Sequence, residues 1–105
     1  MTPQVAEVKL RQRRVYIPRA IYEAHFAGSG GVVLLRKDDD LLVLPVRHAA
    51  SGGYVLKIRN AAGDRVIDAG DFFRDHGLPD SAEWDGTFAW CETSGALQLY
   101  EVFLM

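Results

Sequence analysis

At 105 residues, 49% hydrophobic and 25% charged, with a net charge of −2, the chain has the make-up of one ordinary globular domain with a core of its own. No apolar run approaches a membrane span, since the longest, 32–35 and 41–46, are strand-sized, and residues 1–4 do not read as the start of a secretory leader. Cys91 is the single cysteine, which excludes an internal disulfide and leads us to expect a reducing, cytoplasmic setting.

In chain order, residues 5–10 and 15–17 read as short strands separated by a polar turn over 11–14. Pro18 suits a first helical position, where a missing amide costs nothing, and the spacing predicts a helix of about two turns over 19–26. Glycines at 28, 30 and 31 stop it. Strands over 32–36 and 41–46 follow, joined as a hairpin through Lys37, Asp38, Asp39 and Asp40. The Ala-Ala-Ser-Gly-Gly stretch at 49–53 reads as a linker.

The second half repeats the plan. A strand over 54–59, a turn over 60–63 and a short strand over 64–67 lead to a helix capped by Asp68 or Asp71, with Phe72, Phe73 and His76 on one face. Gly77 ends that helix and Pro79 prevents its resumption. An added loop over 79–86 carries Trp84, and a hairpin over 87–92 and 96–103 closes the chain. Arg14-Val15 and Arg65-Val66 open the second strand of each half, Ile21-Tyr22 and Phe72-Phe73 lie on the two helices, and His25 and His76 follow them. The predicted fold is therefore one mainly β domain over 1–105 with two short helices, built from tandem β-β-α-β-β repeats over 5–48 and 54–105. The repeats differ in charge: eight Lys/Arg stand against five Asp/Glu up to His48, and four against nine after it.

The run Arg14-Val15-Tyr16-Ile17-Pro18-Arg19-Ala20-Ile21, with Pro45 near the end of the first hairpin, resembles the AbrB/SpoVT family of swapped-hairpin domains. Two such units in one chain resemble the tandem, MraZ-like arrangement, with a degenerate second repeat that has Asp68 or Ala69 where the proline should be. The resemblance implies a pseudo-dimeric barrel of interleaved hairpins, a transcriptional regulator that binds double-stranded DNA, and assembly as a homo-oligomer. It places Arg11, Arg13 and Arg14 on the DNA surface, flanked by Lys9 and Arg19. It departs at the matching loop of the second repeat, Ala61-Ala62-Gly63-Asp64, which has only Arg59 and Arg65 nearby. Affinity for DNA rises with the number of phosphates neutralised, so a half-basic face binds more weakly.

Read from the residues alone, the arginine cluster is either a phosphate-contacting surface or a solvated turn. Arg14 has a structural alternative, pairing with an acid across the barrel, and that pairing is the preferred reading of Arg65. A second function class stays open: a protein-binding accessory, assembly or antitoxin-like module that uses the acidic second repeat, with Trp84 between Glu83 and Asp85 as an aromatic anchor. His25, His48, His76 and Cys91 show no metal-ligand spacing, and Asp38–Asp40 reads as a hairpin tip. Cys91 has no base partner legible in sequence. Neither an enzyme nor a cofactor or metal is expected. The apolar ending over 100–105 predicts a tail that packs under cover.

Overall fold

The computed structural model describes residues 7–48 and 52–104. The first residues of the predicted opening strand, most of the predicted linker and Met105 lie outside them. Within them the chain is mainly β, with two short helices and two antiparallel sheets.

Strands β1 (Lys9–Arg11) and β2 (Arg14–Ile17) form a hairpin in which Arg11 faces Arg14. Its turn is Gln12 and Arg13, both left-handed at φ 51° and 59°. That geometry matches the twist of a two-residue hairpin but costs a side-chain-bearing residue roughly 1–2 kcal/mol. Tertiary bonds hold it: Arg13 Nε donates to the Leu78 carbonyl at 2.9 Å, and the Arg13 carbonyl accepts from the Ala69 N–H at 3.4 Å.

The predicted two-turn helix is shorter and wider than expected. Pro18 stands just before it in extended backbone, α1 spans Arg19–Ile21, and a π turn over Tyr22–Phe26 completes it. That turn delivers Phe26 to the core and lays His25 flat on Trp90, with ring centroids 4.4 Å apart. Strands β3 (Gly31–Lys37) and β4 (Asp40–Val46) follow as the predicted hairpin, Lys37 opposite Asp40.

The predicted continuous strand over 54–59 is two strands in two different sheets. β5 (Tyr54–Val55) pairs with β3, β6 (Lys57–Ile58) pairs with β7 (Arg65–Asp68), and buried Leu56 makes the corner, its N–H on the Gly30 carbonyl at 3.2 Å. Helix α2 (Gly70–Asp75) begins after Ala69, which makes no side-chain cap; neither Asp68 nor Asp71 caps it. Asp71 instead accepts the Tyr54 hydroxyl at 3.0 Å. The predicted loop over 79–86 contains an edge strand, β8 (Glu83–Trp84), paired to β1 with Leu10 opposite Trp84. The last hairpin is β9 (Phe88–Cys91) and β10 (Ala96–Leu99). The C-terminal segment turns inward rather than extending the strand: Val102 and Phe103 are buried, while Leu104 is 60% exposed.

The first sheet has the order β6-β7-β2-β1-β8 and the second β5-β3-β4-β10-β9. Each takes one hairpin from each half, joined by β2·β7 in the first and β4·β10 in the second. Among the described residues the strand pairing leaves two open five-stranded sheets and does not close them into one barrel. Their facing sides bury Leu10, Val15, Ile17 and Ile67 against Val32, Leu41, Val43, Leu97 and Leu99, with Phe26 and Phe73 from the helical segments. Each such side chain contributes about 1.5–3 kcal/mol on burial.

The register across β2·β7 corrects the repeat alignment. Val15 faces Ile67, and both are fully buried; Tyr16 faces Val66, and both are half-buried on the outer side. Side chains alternate along a strand, so Val15 and Val66 point to opposite faces of the sheet. The Arg-Val pairs that match in sequence are therefore one residue out of phase in the pleat, and Arg65 is not the structural counterpart of Arg14.

Candidate functional site

A cleft of about 940 Å3 opens at one end of the β2·β7 pair. It is lined by Tyr16 and Ile17 of β2, by Glu7, Lys9 and Arg11, and by the start of α1 with Pro18, Arg19 and Ala20. The β6–β7 turn closes it with Arg59, Ala62, Asp64 and Arg65. Five cationic side chains, from both halves, thus face two carboxylates, Glu7 and Asp64. Outside the cleft, the outer face of the first sheet continues the theme in a cross-strand row of Lys9, Tyr16, Val66 and Lys57.

Local chemistry builds this turn. Asn60 and Asp64 bracket it in a reciprocal Asx arrangement, Asn60 Nδ2 to Asp64 Oδ2 at 3.0 Å and the Asp64 N–H to Asn60 Oδ1 at 3.1 Å. Gly63, at φ 92°, supplies the left-handed residue, and a side chain there would press on the Arg19 stem. Asp64 Oδ1 also accepts the Arg19 N–H at 2.8 Å, so an acid of the second half satisfies the first orphan amide of α1. The Asn60 amide and then this backbone N–H hold the Asp64 carboxyl below its ordinary range.

The five arginines and lysines expected to meet DNA do not share one free face. Arg11 is the most engaged: Nη1 donates to the Leu10 and Trp84 carbonyls at 2.8 and 3.0 Å, and Nη2 to Asp85 Oδ2 at 3.1 Å. Its Nε lies 3.8 Å from Glu83. Arg14 pairs with Asp68 at 3.6 Å, and its guanidinium is stabilised by the Tyr16 hydroxyl and then by Asp68. Arg19 pairs with Glu23 at 2.8 Å, and Lys9 with Glu7 at 3.5 Å. Arg13 turns away to Leu78 at the opposite end of the β2·β7 pair. Lys9, Arg11 and Arg19 line the cleft, whereas Arg13 and Arg14 do not.

The two residues set aside in sequence rest on tyrosine rings. Arg59 lies over the Tyr16 ring with its guanidinium carbon 4.7 Å from the centroid, and Arg65 over Tyr22 at 3.9 Å. Neither lies within 4.0 Å of a carboxylate among the described residues, though the charge of Arg59 helps to hold the Asp64 carboxyl down, and Arg65 Nη1 donates to the Gly63 carbonyl at 2.8 Å. The structural acid pairing expected of Arg65 is absent because the residue opposite it is Ile17. Strand alternation was the signal that could have found this, since it sets Arg65 on the same side as Ile67, toward the α1 segment.

Trp84, Glu83 and Asp85, expected to meet a protein partner, form one cluster with Arg11. The Trp84 indole donates to the Tyr100 carbonyl at 2.8 Å, and its ring packs against the core. Beside them lies a second concavity of about 640 Å3, where Trp84 and Tyr100 sit among Glu83, Asp85 and Glu101. His25 and His76 occupy separate aromatic groups, His25 on Trp90 and His76 between Phe72 and Phe103. Among the described residues no group of three or more His, Cys, Asp or Glu converges. The Cys91 thiol is held below its ordinary range, chiefly by the Ser94 hydroxyl.

Comparison with known proteins yields no match to a family model, a curated protein or a solved structure.

Proposed function

We propose that this protein is a small DNA-binding regulator that uses the cleft at the end of the β2·β7 pair. The observation that carries this reading is the gathering of Lys9, Arg11, Arg19, Arg59 and Arg65, from both halves, in one cleft with Tyr16. Guanidinium forks match phosphate oxygens in geometry, and a cluster of them supplies the sequence-independent part of nucleic-acid affinity. The resemblance of the segment from Arg14 to Ile21 to swapped-hairpin DNA-binding domains supports the same reading. The pairing of Lys9, Arg11 and Arg19 with neighbouring carboxylates tempers the affinity rather than abolishing it, since exposed pairs are weak and exchange for a phosphate at little cost.

The test is fluorescence anisotropy of mixed-sequence duplex fragments at about 50 and about 200 mM salt. Binding that falls steeply between the two supports the reading and justifies a search for the operator. Absence of binding even at the lower salt overturns it.

A second reading is favoured by one observation, the aromatic and acidic concavity of Trp84, Tyr100, Glu83, Asp85 and Glu101. Such a surface suits a cationic segment of a protein partner, through carboxylate pairing and cation–π contact. Titration with a lysine- and arginine-rich peptide checks it: binding lost in Tyr100→Ala supports this module, and binding unaffected by that change removes its basis.

A further inference from the structure

At each end of the antiparallel β2·β7 pair a strand enters a short helix, yet the two ends carry different chemistry. At the cleft end, Arg59 and Arg65 stand over Tyr16 and Tyr22 without a carboxylate within 4.0 Å among the described residues. Resting on a tyrosine ring leaves edge N–H groups of a guanidinium free to donate, apart from the Arg65 Nη1–H already on the Gly63 carbonyl, and the ring's negative face holds the plane in place. A cation ordered in this way loses less freedom on meeting an anion than a solvated one does.

At the other end the same backbone is closed on itself. Arg13 is used on the Leu78 carbonyl, the Ala69 N–H lies on the Arg13 carbonyl, and Arg14 is neutralised by Asp68. Asp68 stands at the strand end where the first half has the Ile17-Pro18 entry to its helix. The symmetry of the fold is thus broken at the level of charge.

We infer that nucleic acid is bound asymmetrically, along one cleft per chain, and that Arg59 and Arg65 of the second half are its anchoring cations. This rests on the DNA-binding reading and deepens it. The ligand is a run of phosphodiesters of one duplex segment, and the chain does not present two matched half-site faces despite its internal repeat. Lys9 and Arg19 flank the anchors, and Arg11 is recruited as its contact with Asp85 exchanges for phosphate.

The experiment has two arms on the intact protein. The first measures the salt dependence of duplex binding for the wild type, Arg59→Ala, Arg65→Gln and an Arg74→Ala control, whose side chain is 64% exposed and paired with Asp75. Each anchor removed lowers the slope of log K against log salt by roughly 0.9, the value for one phosphate contact on B-DNA, while the control keeps the wild-type slope. Arg59 is exposed, so its variant folds even if the half-buried Arg65 site is disturbed. The second arm maps amide shifts in nitrogen-15 spectra on adding a short mixed-sequence duplex. Shifts gathered at Lys9, Arg19, Arg59 and Arg65, with Arg13, Arg14 and Asp68 unmoved, support the inference. Duplex binding with equal shifts at both ends, or with an unchanged slope in both anchor variants, overturns the inference and leaves the regulator reading intact. Failure of the wild type to bind duplex at low salt overturns both.

Discussion

The two ends of the β2·β7 ladder start from the same local plan, a strand entering a short helix beside a tight turn, and finish as opposites. One end is an open cation-lined cleft whose turn is organised by Asn60, Gly63 and Asp64. The other is a left-handed Gln12-Arg13 turn locked by Leu78 and Ala69. An internal repeat here keeps the order of its elements without keeping their surface chemistry. Arginine count was a poor guide here; what distinguished the ends was that Arg59 and Arg65 rest on tyrosine rings, whereas Arg13 and Arg14 are held by Leu78 and Asp68.

Breaking the shared centre has the largest effect, because it removes the frame on which both ends stand. Ile67→Ala, at a fully buried position facing Val15, is expected to cost about 2–5 kcal/mol in chemical unfolding. The outward Val66→Ala is expected to cost well under that, about 1 kcal/mol or less. Equal costs at the two positions would show that the pleat phase assigned to β7 is wrong.

The cleft end can be loosened through Asp64. Its folded carboxyl lies below its unfolded range, so its contribution is present above that range and disappears as pH falls through the folded value. Melting temperatures followed from about pH 6 to about pH 3 should fall less steeply for Asp64→Asn than for the wild type, because the variant has no such proton to bind. Parallel curves would mean that the turn does not depend on the charge.

The closed end can be relieved of strain. Gln12→Asn places a residue more tolerant of the left-handed region in the turn and is expected to stabilise the protein by about 0.5 kcal/mol. Arg14→Ala, which removes an exposed pair with Asp68, should leave the melting temperature nearly unchanged. A clear drop would mean that the ion pair itself, rather than the Arg13 contacts, closes that end.

Smallest of all, and away from both ends, Ser94→Ala should slow alkylation of Cys91 at mildly alkaline pH. The hydroxyl that favours the thiolate is then gone. An unchanged rate would remove Ser94 from that role.

Much of the architecture was legible from pattern. The 31–37 and 40–46 hairpin followed from two apolar runs around an aspartate-rich tip, and the helix stop after Phe26 from Gly28 at φ 84°. What pattern missed was decided by neighbours distant in sequence. β8 looked like loop because Glu83-Trp84 has no alternation of its own; it is a strand because β1 offers it an edge and Arg11 offers it charge. The strand predicted over 54–59 broke at Leu56 because each sheet claims one side of the corner. At the site, Lys9, Arg11 and Arg19 were singled out from sequence and do line the cleft, but Arg59, Arg65, Tyr16 and Tyr22 were not seen as a set. Their contacts cross from one half to the other, over separations that no local spacing encodes.

By itself, the sequence determined the main hairpins, the positions of the two helical segments and the unequal charge of the halves, because these follow from side-chain period, turn residues and composition within short windows. Tertiary structure decided which carboxylate neutralises which arginine, which face Val66 presents, and which end of the ladder stays open. Those depend on strand register and on pairing between the halves, where a shift of one residue turns every side chain to the other face.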